Sequence, residues 1–79
     1  MQVEQIRNIL SKHGRLAADI STLSEDSDLY NAGLTSLTTV SLMLALEDEF
    51  NVEFPDNMLS RKTFQSIRNL SEAIQTLQS

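Results

Sequence analysis

SLTTVSLMLALEDEF, residues 36–50, is the stretch whose periodicity decides the fold. At roughly 100° per residue, Leu42, Met43, Leu46 and Phe50 fall within one arc, with Thr39 among them. That arc is the core stripe of an α-helix. Leu37, Val40 and Leu44 fall on nearly the opposite side, flanked by Glu47 and Asp48. The stretch therefore reads as a helix that is apolar on two faces. A small bundle surrounds a helix only partly, so the second strip is expected to stay exposed, with acids at its lower end. An apolar strip with a charged rim suits a transient protein contact. Periodicity leaves the alternative open that a further helix or a loop covers Val40 and Leu44.

Two weaker helices flank this one. Val3, Ile6, Ile9 and Leu10 share one face of a helix over about Val3 to His13. Lys12 and His13 suit its last turn, and Gly14 is placed as a C′ residue able to adopt positive φ. His13 reads as a cap or surface residue, the usual place of a cation at a helix end. Near the other end, Ile67, Leu70, Ile74 and Leu77 form a stripe, with Ser66 as the N-cap. Between the second and last helices, Pro55 ends any helix, and Asp56 is expected to cap a short helical turn from Asn57 to Lys62. Phe54, Met58, Leu59 and Phe64 would anchor that element to the core. Gly14 to Thr35 is a connection of 22 residues without sustained periodicity, long for a compact domain. Its spaced apolar residues (Leu16, Ile20, Leu23, Leu29, Tyr30 and Leu34) are enough to tack it onto a bundle. Its length lets the chain cross from one end of the bundle to the other.

The chain of 79 residues makes a single domain, 1–79, with a modest core. With no cysteine, it has neither disulfides nor thiolate metal sites and depends on packing. Two glycines and one proline suit helices better than the many turns of a β-sandwich. No apolar run approaches the roughly 18 residues of a membrane span, and the N-terminus lacks the pattern of a signal peptide. A cytoplasmic protein is expected. Residues 16–60 hold nine acids and no Lys or Arg, so the middle carries −9 against +4 for the ends, a net −5. Such a middle repels phosphate backbones, which argues against nucleic acid. It suits a basic protein surface, or simply a solvated acidic face that maintains solubility.

Ser36 lies where the second helix begins, after Gly33, which lets the chain turn. A serine there is ordinarily an N-cap. The same place suits a phosphate ester, because the first helical amides lack intrahelical partners and the dipole favours a negative group.

The run Asp28-Leu29-Tyr30-Asn31-Ala32-Gly33-Leu34-Thr35-Ser36-Leu37, continued by Val40, Leu42 and Ala45 to Phe50, resembles the acyl and peptidyl carrier proteins. Val52-Glu53-Phe54-Pro55-Asp56 and Phe64 to Leu70 resemble the family's later segments, with the right lengths between blocks. The resemblance implies an all-α four-helix bundle of three long helices and one short third helix, with a long loop between the first two. It implies that a phosphopantetheinyl transferase moves 4′-phosphopantetheine from coenzyme A onto Ser36 in a Mg-dependent reaction. An amino-acid or acyl ligase would then load the arm with a thioester for a downstream acceptor enzyme. The partner face it implies is Thr35, Leu37, Val40, Ser41, Leu44, Glu47 and Asp48. The carrier itself would not be an enzyme, in keeping with the lack of a nucleophile–base–orienter set. A free-standing monomer is expected, with no metal, membrane or nucleic acid.

Thr35, Thr38 and Ser41 stand where fatty-acid carriers have acids. Less negative charge there weakens the steering of basic partners. The pattern looks more like peptidyl carriers and stand-alone carriers charged by amino-acid ligases than like carriers of primary fatty-acid synthesis. If cargo enters the bundle, Leu42, Met43 and Leu46 would line the cavity. Other classes compete. Asp26 and Asp28 have the alternate spacing of a calcium loop, but Tyr30, Asn31 and Leu37 break the pattern. A carrier-like helical interaction module without the prosthetic group also explains the apolar strip, and it predicts that Ser36 is dispensable. An enzyme would need a larger enclosed pocket.

Overall fold

The computed structural model describes residues 3–14, 16–17 and 19–78; Met1, Gln2, Arg15, Ala18 and Ser79 lie outside the described residues. Among them the fold has three α-helices: α1 (Val3–His13), α2 (Ser36–Phe50) and α3 (Ile67–Gln78). Short 3₁₀ turns stand at Ile20–Thr22 and Asp56–Met58. α1 packs against both α2 and α3. The three stripes supply Ile6, Ile9 and Leu10, then Leu42 and Leu46, then Ile67, Leu70 and Ile74, all buried in one core. Val3, Met43, Phe50 and Leu77 pack at its edge.

The fourth helix expected from Asn57 to Lys62 is not an α-helix. Only the 3₁₀ turn Asp56–Met58 forms, and its N-cap position, Pro55, makes no side-chain cap hydrogen bond. Asp56 is the first residue of that turn rather than its cap. After it, Ser60 Oγ accepts from the Thr63 amide at 3.4 Å and lies 3.2 Å from Thr63 Oγ1. Such local side-chain bonds compete with helix continuation. Phe54 and Phe64 anchor the segment, their ring centroids 5.5 Å apart and both buried. Met58 is partly buried against them, but Leu59 is turned outward and 44% exposed.

The long connection is ordered by bonds that periodicity does not reveal. Arg7 on α1 donates to the carbonyls of Ile20 at 3.1 Å and Leu23 at 2.9 Å. The Leu29 amide bonds to Gln65 O at 2.7 Å, and the Arg68 amide to Glu25 O at 2.9 Å, which ties the connection to the start of α3. Asp26 and Arg68 add a bidentate ion pair, with contacts of 2.6 and 3.2 Å. Asp28 Oδ1 accepts from the amides of Tyr30 and Asn31 and so starts a helical turn that drives Leu29 and Leu34 into the core. Asp26 and Asp28, the residues with calcium-loop spacing, are thus committed to Arg68 and to the chain's own amides. Among the described residues no cluster of three or more ligand-type side chains could hold a metal ion. No helix among them is long and apolar enough to cross a membrane.

The left-handed backbone expected at Gly14 occurs instead at Gly33 (φ 120°) and at Asn51 (φ 53°), the C-cap of α2. Gly14 is required for space: its amide continues the helix by bonding to Leu10 O at 2.8 Å, and a Cβ there would meet that same oxygen at 2.8 Å. At Gly33 a Cβ would lie 2.6 Å from Ala17 N, so both backbone angle and space demand glycine. Ser66 caps α3 as expected, its Oγ accepting from the Asn69 amide at 3.1 Å.

Two consequences are measurable. Ser71 is fully buried on α3 and its Oγ has no hydrogen-bond partner. Ser71→Ala removes that uncompensated hydroxyl and improves helix propensity, so urea unfolding should show a gain of about 1 kcal/mol. The Arg68 hydrogen bond holds the Asp26 carboxyl below its ordinary range, against desolvation and with the help of the Arg68 charge. A depressed folded pKa contributes stability that is present above the unfolded value and lost as pH falls through the folded one. Amide exchange at Arg68, corrected for intrinsic rates, should therefore accelerate as pH drops below the usual aspartate range, and Asp26→Asn should remove that pH dependence.

Candidate functional site

The site is built around the first turn of α2. Thr35, not Ser36, is the N-cap: its φ and ψ are extended (−115° and 169°), and its Oγ1 accepts from the Thr38 amide at 3.2 Å. Thr38 Oγ1 in turn accepts from the Thr35 amide at 2.9 Å, which completes a capping box. Thr39 Oγ1 donates to Thr35 O at 2.6 Å. The hydroxyls of Thr35, Thr38 and Thr39 are all engaged in starting the helix. Ser36 is left as the first helical residue, exposed, with no hydrogen bond from its side chain among the described residues. Thr-x-x-Thr is a readable variant of the capping-box pattern, and it could have moved the cap by one residue at the sequence level.

Two features suit this hydroxyl to a covalent phosphate ester. Helix geometry leaves the amides of Ser36 and Leu37 without intrahelical acceptors, and the helix dipole is positive at that end. No acid stands in the first turn of α2. The residues present therefore fit a negatively charged group attached at Ser36.

The second face of α2 is bare. Leu37 is 80% exposed, Val40 51% and Leu44 57%, so neither the connection nor the 3₁₀ turn covers them. Ser41 and Asp48 are exposed beside them. Glu47 differs: it is half-buried, and its Oε2 accepts from the Phe54 amide at 2.9 Å, fastening the segment after α2 to the helix. Thr35 likewise has a structural duty as the cap.

Beside Ser36 runs an open groove of about 370 Å³ between α2 and residues 59–64. Ser36, Thr39, Val40 and Met43 form one wall, with Leu59, Ser60 and Arg61 opposite. Leu42 and Leu46, which would line an internal cavity if cargo entered the bundle, are fully buried in the core, while Met43 also borders this surface groove. Arg61 lies over the Tyr30 ring, its Cζ 4.1 Å from the centroid. At an exposed site such a contact contributes about 0.5–1 kcal/mol. Nothing in the periodicity signals this pair, since the two residues are brought together only by folding.

With this geometry in view, the comparisons with known proteins agree with one another. Residues 4–74 match the family model described as a phosphopantetheine attachment site. An aminoacyl carrier protein of Agrobacterium fabrum is 44% identical over 72 residues, 91% of this chain and 87% of that protein. Among solved structures, a chain in the complex of an engineered Bradyrhizobium japonicum glycine:[carrier protein] ligase with a carrier protein from Agrobacterium tumefaciens and ATP superposes with a TM-score of 0.91. It is 42% identical, with 96% of this chain and 99% of that one covered. A holo acyl carrier protein from Nitrosomonas europaea gives a TM-score of 0.83 at 29% identity, covering 96% and 94%. The chain belongs to the phosphopantetheine-binding carrier protein family, and its prosthetic group is 4′-phosphopantetheine.

The division of labour in the first turn predicts opposite outcomes for neighbouring hydroxyls. Thr35→Ala should cost about 1 kcal/mol in urea unfolding through loss of the cap. Ser36→Ala should leave the midpoint unchanged within about 0.5 kcal/mol, the ordinary range for an exposed substitution.

Proposed function

We propose that this protein is an aminoacyl carrier with its 4′-phosphopantetheine arm on Ser36, and that it meets its partner enzymes through the bare face of α2. The observation that carries this reading is the unbonded, exposed Ser36 hydroxyl at the first turn of a helix that Thr35 already caps. Ser36 Oγ would displace the nucleotide from the pyrophosphate of coenzyme A, giving up its proton as the new phosphodiester forms, while a phosphopantetheinyl transferase supplies base and metal. When bound, the arm supplies a thiol that holds the cargo as a thioester. The chain's own part is to expose the hydroxyl, hold it at a helix end favourable to negative charge, and offer Leu37, Val40, Ser41, Leu44 and Asp48 as a docking strip. Catalysis belongs to the partners: the transferase, an amino-acid ligase that loads the arm, and an acceptor enzyme that unloads it.

Support for an aminoacyl cargo comes from two directions. The Agrobacterium relative is named an aminoacyl carrier protein, and a structural neighbour is a chain in a complex with a glycine ligase. The neutral Thr35, Thr38 and Ser41 around the attachment point also give little steering toward basic acyl-chain enzymes. The 3₁₀ turn at Asp56–Met58 would stand in place of the family's short third helix. The reading places the protein in the cytoplasm as a monomer.

Incubation with coenzyme A, Mg and a broad-specificity transferase should add one phosphopantetheine to the intact mass of the wild type and none to Ser36→Ala. A set of amino-acid ligases should then load the holo protein, and Leu44→Asp should lower the loading kcat/KM by about tenfold or more through loss of an apolar anchor in the docking strip. Wild-type protein that gains no mass with several transferases would overturn the attachment. Loading by acyl ligases alone would overturn the cargo assignment.

A further inference from the structure

Among the described residues, Arg61 is a cation without a fixed anion. It follows a stretch, residues 16–60, that has nine acids, yet among the described residues the ion pair is Asp26–Arg68, and no carboxylate lies against Arg61. Its side chain makes no hydrogen bond to a described residue; it rests over Tyr30 at 4.1 Å. Ring stacking restrains the stem and plane of the guanidinium but leaves its donors unused, and that planar fork matches the oxygens of a phosphate. Arg61 and Ser36 line the same groove. α2 contributes no acid before Glu47, so nothing negative on that helix competes near its start.

We infer that Arg61 engages the phosphodiester of the arm on Ser36 and lays the first part of the arm along the groove, over Val40, Met43 and Leu59. This rests on attachment at Ser36, proposed above. The occupant follows from continuity and charge: a group joined to Ser36 would start in the groove wall, its only ionised part near that end would be the phosphate, and the same groove is lined by the Arg61 guanidinium. The apolar stretch made by Val40, Met43 and the outward Leu59 accommodates the methyl-bearing portion beyond the phosphate. Leu59, which the core leaves 44% exposed, thereby acquires a role.

The test compares apo and holo forms of the full chain, wild type and Arg61→Gln, with intact mass recorded before each spectrum. Mass establishes whether the arm is present, independently of where it lies. In the wild type, conversion to holo should shift the Arg61 Nε–Hε resonance and the methyl signals of Met43 and Leu59. The phosphodiester ³¹P resonance should differ between holo wild type and holo Arg61→Gln, and the difference should shrink in 1 M salt, where the Debye length falls to about 3 Å. Arg61→Lys should restore part of the shift, since it keeps the charge and loses the fork. If both proteins gain the arm but the ³¹P resonances coincide and the Arg61, Met43 and Leu59 signals do not move, the inference is overturned while the carrier reading stands. If no mass is gained, both fall together.

Discussion

Thr35 and Thr38 exchange hydrogen bonds across the first turn of α2, and that exchange sets the residue at which the helix begins. Everything around the site depends on this register. Were the cap one position later, the Ser36 hydroxyl would itself be drawn onto the amides of the first turn. The side on which Leu37, Val40 and Leu44 stand is set by the burial of Leu42 and Leu46 on the opposite stripe. By meeting the cap requirement with threonines, the chain leaves the adjacent serine without a structural task. An unengaged hydroxyl beside unpaired helical amides can be modified at little cost to the fold.

The register is itself held from upstream. Asp28 starts a turn, Leu29 and Leu34 sink into the core, and Gly33 between them takes a backbone angle that L side chains rarely adopt. Backbone bonds from Leu29 to Gln65 and from Arg68 to Glu25 tie this turn to the start of α3. Downstream, Glu47 fastens the Phe54 segment to α2. The site therefore stands on a frame whose polar bonds run between segments distant in sequence. The bare face of α2 needs no such frame beyond the helix itself, since its residues face solvent.

A 3.6-residue period was enough to read α1, α2 and α3, because each helix buries a single stripe against the others and the stripe is written locally. The two-faced character of α2 was legible for the same reason. Ser36 stood out through the block of residues around it. The cap was misplaced by one residue because the hydroxyls of Thr35 and Ser36 are equivalent in composition and differ only in backbone angle. The helix expected after Pro55 reduced to a 3₁₀ turn because Ser60 and Thr63 bond locally in its place. Glycine at position 14 was correctly a terminus but for a different reason, since crowding by Leu10 rather than positive φ requires it.

The sequence by itself determined the helices, their buried stripes, the exposed hydroxyl-bearing helix start and the acidic character of the middle of the chain. These are set by interactions within a few residues or by charge alone. Tertiary structure decided which apolar residues of the long connection are buried, that Glu47 is bound to the Phe54 amide, that Leu59 faces outward, and that Arg61 meets Tyr30 at the groove beside Ser36. Each of those depends on the chain folding back on itself, whether over the seven positions from Glu47 to Phe54 or over the longer span from Tyr30 to Arg61, and no local period encodes such an encounter.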